Sequence, residues 1–303
     1  MSDISTQSPE TESPASGDAA CPLCLGPRGH YATIRGFAFF ECQPCDFISV
    51  SAELLRQIDE GLNVRKYDET YWNAERTAAR DRCYGPALSR FAELLLYARV
   101  PVEKFIDIGT GTGDLLDSLS FHLPSNAWRF YGVEKFPPPP DFRTRHRNYI
   151  VGDLRDAPGL FQAGLCVEVV EHLTPAMVRG VALQLGEISV EGSIFLFNTG
   201  LTDYVRIEDP GYLDADIRGH ICVWSVRAIA PIFEAEGFKV HAIPGKRWAF
   251  LVEKVPAGAS YAAIPDRIWT RLPENEAILR DPASSHVLLC AGLDAARAYL
   301  NGS

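Results

Sequence analysis

Short apolar segments alternate with amphipathic segments from about residue 100 onward, and this alternation predicts strands interleaved with helices. The run Phe105–Ile108 is typical of a buried strand, and leucines at helical spacing follow it. Later strands are predicted over Trp128–Val133, Tyr149–Val151, Leu165–Val170, Ser193–Asn198, Lys239–Ile243 and Trp248–Val252, with helices over Pro175–Leu185 and Val226–Glu236. This order predicts an α/β fold, a mainly parallel sheet with helices on both faces. Because only four residues separate the last two strands, we expect them to form an antiparallel hairpin at the sheet edge.

The pattern changes on both sides of this alternating core, which is predicted to span residues 101–255. Residues 1–20 are polar and acidic and carry almost no large apolar side chain, so we expect a disordered tail. Residues 21–50 combine glycines, prolines and cysteine pairs, which is typical of a small domain built on a metal rather than on an apolar core. Residues 51–100 are predicted as a helical lid region, and residues 256–303 as a C-terminal extension. The aromatic residues of the lid region either cover a ligand or pack its helices; they are Tyr67, Tyr71 and Trp72.

Composition and charge narrow the class of protein. With 47% hydrophobic and 22% charged residues, the 303-residue chain can bury a large core, which excludes a disordered, collagenous or fibrous protein. Its longest apolar runs are a few residues long, whereas a membrane-spanning helix needs about 20, so no transmembrane segment is expected. The first residues lack the features of a secretory signal, and we expect a cytoplasmic protein with reduced thiols. The formal net charge of −10 disfavours a nucleic-acid partner, although four of those charges lie in the tail.

Four of the eight cysteines form two closely spaced pairs, Cys21 with Cys24 and Cys42 with Cys45. Two residues between thiolates let one turn present both sulfurs to a tetrahedral ion, and a second such turn completes a closed site. The doubled spacing therefore predicts a structural Zn²⁺ site, with four unliganded thiols or a redox pair as the alternative. The remaining cysteines lack this spacing and are expected to be ordinary buried thiols; they are Cys83, Cys166, Cys222 and Cys290.

A glycine-rich loop follows the first strand of the core and opens a helix, in the order Gly109, Thr110, Gly111 and, two residues later, Gly113. Such a loop lets backbone approach a ligand closely. A dinucleotide would favour a third glycine at position 114, but Asp114 stands there, near a helix N-terminus, and would repel a pyrophosphate. A ligand with a positive end and no phosphate fits better, and S-adenosylmethionine, with its ammonium and sulfonium groups, is such a ligand.

Acidic residues accompany three successive strands of the core. Asp107 lies just before the glycine loop, and Glu134 ends the next strand, where an acid accepts hydrogen bonds from ribose hydroxyls. Asp153 follows the third strand, beside Leu154, and is placed to accept a hydrogen bond from an adenine amino group. The series predicts a site for S-adenosylmethionine; a tight turn with unrelated surface acids is the alternative.

Together with the segment Glu168–Leu173, these motifs resemble those of class I S-adenosylmethionine-dependent methyltransferases over about residues 90–255. The resemblance implies a Rossmann-like sheet of seven strands with the last strand antiparallel, and Glu168 in the cofactor site. The cysteine pairs resemble the N-terminal zinc-binding module of sugar C-methyltransferases. This implies methyl transfer to a small polar molecule, such as a nucleotide-linked sugar or a glycan precursor.

A base is expected where the fourth strand ends, because that end of the strand faces the ligand crevice. His172 is the first candidate, with Glu171 orienting it. In the alternative, Thr174 and Pro175 simply start the next helix, and His172 lies in the entering loop.

A second histidine, His220, begins a segment that resembles the His-Leu-x-x-Phe-Ser segment of the sugar methyltransferases. Some of those enzymes use this histidine as a base. They often carry glutamate immediately before it, whereas this chain has Gly219. His220 therefore either acts as a base, packs against the cofactor or caps the helix that starts near Ser225.

Two other functions remain open at this point. Glu168, Glu171, His172 and His220 also resemble the metal set of small-RNA 3′-end 2′-O-methyltransferases, which implies a divalent ion that orients a diol. The acidic balance of the chain argues against RNA. The last alternative is a zinc-ribbon module on a non-catalytic cofactor-binding domain that serves a protein partner.

Overall fold

The computed structural model describes residues 20–62, 69–267, 275, 278, 280–289 and 292–293 of the chain. Its strands are β1 Gly29–Ile34, β2 Phe37–Cys42, β3 Phe47–Val50, β4 Phe105–Ile108, β5 Phe130–Glu134, β6 Tyr149–Val151, β7 Phe161–Val167, β8 Ser189–Asn198, β9 Cys222–Val223, β10 Lys239–Ala242 and β11 Ala249–Glu253. Its α-helices are α1 Ala52–Asp59, α2 Glu69–Cys83, α3 Pro86–Tyr97, α4 Asp114–His122, α5 Pro175–Glu187, α6 Thr202–Ile207, α7 Val226–Glu234 and α8 Ile264–Arg267.

Seven strands form the central sheet, in the order β10, β11, β8, β7, β4, β5 and β6. The neighbours from β8 to β6 pair in parallel, whereas β11 pairs antiparallel with both β8 and β10. The predicted Rossmann-like α/β sheet and its antiparallel hairpin at the edge are therefore confirmed, with β10 outermost and β11 next to it. Because β5 and β7 flank β4 on opposite sides, the carboxyl ends of these strands border a crevice.

Strand β7 differs most from its predicted bounds, because it begins at Phe161 and ends at Val167. Gln162 and Gly164 break the apolar pattern over its first half, which is why sequence periodicity missed that half. The Gln162 side chain is nevertheless satisfied, because its oxygen accepts hydrogen bonds from two backbone amides just before β4. Val170, predicted as strand, lies instead in a short 3₁₀ turn.

A second sheet of four strands joins β1, β2 and β3 to β9, which follows β8 and α6 in the chain. The Phe47 ring lies 4.7 Å from the Trp224 ring, centroid to centroid. The buried apolar residues of β2 and β3 belong to the same hydrophobic cluster as the central sheet. The expectation of a small domain without an apolar core is thus wrong, because β9 brings the core's own side chains under this sheet.

The helices begin at local capping signals. Thr174 accepts a hydrogen bond from the Met177 amide at 3.2 Å and Pro175 takes the first helical position, so α5 starts where the sequence predicts. Ser225 caps α7 in the same way, accepting from the Ala228 amide. Among the described residues, every helix is too short or too polar to cross a bilayer.

Candidate functional site

A cavity of about 240 Å³ opens at the carboxyl ends of β4, β5, β6 and β7. Most residues predicted for a cofactor or for catalysis line it, namely Asp107, Gly109, Thr110, Gly111, Glu134, Asp153, Leu154, Glu168 and His172. Three predicted residues lie outside its wall. Gly113 precedes α4 and faces Thr144, whereas Glu171 and His220 are buried behind His172.

The glycine loop forms the floor of the cavity with its backbone. Gly109 has a φ of +71°, and a Cβ added there would lie 2.6 Å from a methyl group of Val169. The Gly111 amide donates a hydrogen bond to Glu134 at 2.8 Å, which ties the loop to the end of β5. The Trp72 ring lies over Gly111, where an added Cβ would come within 3.5 Å of it.

Two buried carboxyl groups lie beside the loop. Burial, together with the nearby charge of Glu134, raises the pKa of Asp107 to about 7, although the hydroxyl of Thr110 donates to it at 2.6 Å. Burial also raises the pKa of Glu134, whose oxygens accept from the Gly111 and Phe136 amides. A positively charged ligand between these groups would favour their ionised forms, so the pair fits S-adenosylmethionine better than it fits an anion.

Asp153 is more exposed than the other two acids. It forms an ion pair with Lys135, at 2.7 Å between Nζ and Oδ1, and caps a 3₁₀ turn that begins at Leu154. Asp153 and Leu154 both line the cavity. They follow β6, whereas Glu168 follows β7, on the other side of β4 in the sheet. The ion pair with Lys135 and the 3₁₀ turn together fix the position of Asp153.

Helix α2 covers one side of the cavity. Tyr71 and Trp72 line it and contact each other edge to face, with ring centroids 5.1 Å apart, and Arg82 and Cys83 line it farther along the helix. The two rings therefore pack against each other and also line the cavity, next to the glycine loop. Tyr67 lies outside the described residues.

The turn after β7 brings an acid and a histidine to the cavity. Glu168 adopts a φ of +55°, a conformation that residues other than glycine rarely take. Asn198, at the end of β8, donates to its carboxylate at 2.6 Å. Burial and the neighbouring charge of Glu171 raise the pKa of Glu168 to about 8. The His172 ring lines the same wall, and its Nδ1 lies 3.0 Å from the Gly219 carbonyl oxygen.

Behind His172 lies a buried polar cluster. The Glu171 carboxylate is inaccessible to solvent, and burial raises its pKa. The hydroxyl of Tyr212 donates to Glu171 at 3.0 Å, while the Tyr212 carbonyl oxygen lies 2.7 Å from Nδ1 of His220. Burial and the neighbouring His172 lower the pKa of His220 to about 3, so this ring is neutral near pH 7. Its ring centroid is 4.9 Å from that of His172.

Sequence reasoning missed Tyr212 as a member of this cluster. It belongs to the polar segment between β8 and β9, where no periodic pattern marks it. An aromatic residue amid acids and glycines was the available signal. His220 does not cap α7, since Ser225 does so.

The four paired cysteines converge on one point, with all four sulfurs within 4.8 Å of one another. Cys21 and Cys45 sulfurs are 3.6 Å apart, and those of Cys24 and Cys42 are 3.5 Å apart. Zn–S bonds of about 2.3 Å at tetrahedral angles place sulfurs roughly 3.8 Å apart, whereas a disulfide needs about 2.05 Å. The cluster therefore has the geometry of a tetrahedral thiolate site rather than of disulfides.

The two cysteine turns are alike. The amide of the residue after each pair donates to the carbonyl of the first cysteine, Leu25 to Cys21 and Asp46 to Cys42. Leu25 and Asp46 both have φ near +60°, at 60° and 58°. Two matched turns of this kind present four sulfurs inward, as the doubled spacing predicts.

Comparison with known proteins assigns the core. Residues 77–243, more than half of the chain, match a family model described as "Methyltransferase domain". No curated protein sequence matches the chain.

Two solved structures illustrate what the chain is similar to. DesVI from Streptomyces venezuelae is 15% identical, with 62% of this chain and 99% of that chain covered at a TM-score of 0.45. CalS10, an amino pentose methyltransferase from Micromonospora echinaspora with S-adenosylmethionine bound, is 17% identical, with 64% and 100% covered at a TM-score of 0.45.

Proposed function

The chain belongs to the methyltransferase-domain family and is an S-adenosylmethionine-dependent methyltransferase, and we propose from this premise that its methyl acceptor is a small polar molecule, such as a nucleotide-linked sugar or a glycan precursor. The observation that carries the proposal is the convergence of the glycine loop, the acids and His172 on one cavity. Helix α2 covers one side of this cavity, which restricts the space left for an acceptor beside the cofactor. The net charge of −10 weighs against a polyanionic one.

The cofactor would be held by the backbone and the acids of the cavity floor. Glu134 would accept hydrogen bonds from the ribose hydroxyls, because it ends the strand next to β4. Asp107 would face the positively charged end, and Asp153 with Leu154 would contact the adenine. Trp72 would close the site over Gly111, where its ring already lies.

S-adenosylmethionine supplies, when bound, a methyl group activated by its sulfonium. The residues of this chain then have to position the acceptor in line with that methyl and remove a proton where needed. His172 is the proposed proton acceptor because its ring lines the cavity, and a proton on Nδ1 bonded to Gly219 would leave Nε2 basic. Glu171 and His220 lie on the buried side of His172 and would hold its ring in position.

The cysteine cluster is proposed to hold a structural Zn²⁺. Four thiolates leave no open coordination position for a substrate, so the ion would stabilise the fold rather than react. The cluster lies at one end of the four-stranded sheet, which is continuous with the core through β9. Zinc would thereby stabilise the segment that carries His220.

Calorimetry with S-adenosylmethionine tests the cofactor site, using a matched pair of glycine variants. Gly109→Ala should weaken binding by roughly tenfold or more, because its Cβ would clash with Val169 and displace the loop. Gly237→Ala has similar backbone strain at a φ of +82° but open space around it, so it should leave affinity unchanged. A wild-type protein that does not bind the cofactor would contradict the proposal.

Transfer is tested with radiolabelled S-adenosylmethionine and the small-molecule fraction of a cell extract. We expect a labelled product from the wild-type protein, identified by mass spectrometry, and at least a roughly hundredfold loss with His172→Ala. Cofactor binding without transfer to any molecule would instead support a non-catalytic binding module. Label in RNA rather than in small molecules would overturn the proposed acceptor class.

A further inference from the structure

We propose that Arg206 is a positioning residue for the methyl acceptor, because it holds helix α6, at the carboxyl end of β8, against the four-stranded sheet. The parallel pairing of β7 and β8 puts their carboxyl ends at the same edge of the central sheet, so α6 lies on the acceptor side of the cavity. The four-stranded sheet thereby sets the geometry of that side and leaves the cofactor side unchanged. This inference rests on the proposed function and gives the four-stranded sheet a role in it.

Arg206 joins α6 to two parts of the four-stranded sheet. Its guanidinium donates to Glu41 in β2 and, at 2.7 Å, to Asp46 in the second cysteine turn. The hydroxyl of Thr202, at the start of α6, donates to the other carboxylate oxygen of Asp46 at 2.9 Å. Both oxygens of Asp46 therefore accept from α6, which fixes the helix at its first and last turns.

Asp46 is a firm anchor because the cysteine turn fixes its backbone. It directly follows Cys45, has a φ of +58°, and donates its amide hydrogen to the Cys42 carbonyl at 2.8 Å. The side chains of Asp46 and Glu41 are only 23% and 17% exposed, so solvent screens their pairing with Arg206 less than it screens a fully exposed ion pair. A shift of the cysteine turn is therefore transmitted to α6.

Helix α6 carries an aromatic residue on the acceptor side. The Tyr204 ring lies against Gly200, where an added Cβ would come within 2.9 Å of it, and contacts the Tyr212 ring edge to face at 5.7 Å between centroids. Tyr212 in turn donates to Glu171. Burial and nearby acids, Glu168 among them, raise the pKa of Tyr204, so its phenol lies near a carboxylate that lines the cavity.

The other end of the same segment is tied to the same sheet. Arg35, in the turn between β1 and β2, forms an ion pair with Asp214, at 3.3 Å between Nε and Oδ2. The Asp214 carbonyl accepts from the His220 amide at 3.0 Å, and the Val50 amide of β3 donates to the Ile221 carbonyl at 3.0 Å. Both ends of residues 201–221 are thus held by the four-stranded sheet.

The cofactor side has supports of its own. Asp107 lies in β4 and Glu134 ends β5, and β7 separates both strands from β8 in the sheet order. The glycine loop is tied to Glu134 through the Gly111 amide. Loss of the Arg206 contacts therefore loosens the acceptor side and leaves the cofactor residues in place.

Arg206→Gln in the full-length, zinc-loaded protein tests the inference. Hydrogen–deuterium exchange followed by mass spectrometry should be faster over residues 201–221 and unchanged over residues 105–116. Calorimetry should show that the affinity for S-adenosylmethionine changes by less than about twofold. The acceptor probe is a dilution series of the small-molecule fraction of a cell extract, and the dose that gives half the maximal labelling rate should rise at least about fivefold. Arg206→Lys keeps the charge and should restore part of this loss.

Arg56→Gln is the matched control. Arg56 also pairs with two carboxylates, Glu53 and Glu60, but both belong to α1 or its end, so all three measurements should stay at their wild-type values. Asp46→Asn should reproduce the effects of Arg206→Gln. The double variant should be little worse than either single variant, because both substitutions break the same contact.

Two results would overturn the inference. One is unchanged exchange over residues 201–221 in Arg206→Gln. The other is an equal loss of acceptor and cofactor binding, which would make Arg206 a stabiliser of the whole core. Failure of the wild-type protein to label any small molecule would refute the proposed function instead, and the exchange measurement would still decide whether Arg206 holds α6.

Discussion

Asp107 carries the clearest pH signature in the cavity, because burial raises its pKa to about 7. A neutral carboxyl cannot pair with a positively charged ligand, so binding of S-adenosylmethionine requires the ionised form. Affinity should therefore rise with pH, by up to about tenfold per unit below pH 7, and level off above it. Calorimetry between pH 5.5 and 8 measures this dependence.

Asp107→Asn provides the control for that prediction. The amide oxygen can still accept from Thr110, so the loop should keep its geometry, while the titrating charge is gone. We expect weaker binding that varies much less with pH than in the wild-type protein. An unchanged pH profile in Asp107→Asn would assign the dependence to another group, such as Glu134.

At the scale of elements, the four-stranded sheet and the cysteine turns form one unit with the core. β3 pairs with β9, and the apolar residues of both sheets share one cluster. A metal that holds the turns therefore also holds β9 and, beside it, His220. Loss of the metal should therefore lower the stability of the whole core and not only that of the four-stranded sheet.

Cys24→Ser tests this coupling. Cys24 is exposed, so the substitution removes a thiolate with little loss of packing. We expect Tm to fall by roughly 5 °C or more in one cooperative transition, together with weaker cofactor binding. Added zinc should restore chelator-treated wild-type protein but not the variant. Two separate transitions, with the cofactor site intact after the first, would contradict the prediction.

The central sheet could be predicted because its signals are local. Phe105–Ile108 with the glycines after it, and Thr174 with Pro175, each carry a strand end or a helix start within a few residues. β9 could not be predicted, since a strand of two residues has no periodicity and exists only because β3 offers it an edge.

The candidate site also contains residues that could be predicted from the sequence and residues that could not. The glycine loop and Glu134 could be predicted because each follows directly from a strand end. The contacts of Tyr212 could not, because they join segments 41 residues apart, and neither could the positive φ of Glu168, which its tertiary surroundings maintain. Long-range contacts of this kind leave no pattern in a single sequence.

At the scale of the whole molecule, the described residues of the C-terminal extension pack against the core. Ile264, Ile278 and Val287 are buried in the same cluster as α3 and α4. Asn275 connects the extension to the segment before β4, because its side-chain oxygen accepts a hydrogen bond from the Val102 amide at 2.7 Å. These described residues of the extension, whose role the sequence pattern does not indicate, are therefore part of the core that supports β4.

A buried ion pair anchors the extension to the sheet and allows a decisive test. Arg267 donates to both carboxylate oxygens of Glu253 in β11, at 2.7 and 2.8 Å, and both residues are almost inaccessible to solvent. Arg267→Met should lower the free energy of unfolding by about 3–5 kcal/mol, because it leaves a buried carboxylate beside His241 alone. Arg267→Met with Glu253→Met should recover most of that loss, since the uncompensated charge is gone.

Denaturant unfolding measures the stability of both variants. Arg155→Met is the control, because Arg155 is an exposed partner of Glu187 and its loss should change stability by less than about 0.5 kcal/mol. A double variant as unstable as the single one would show that the extension is held by the packing of Arg267 and not by its charge.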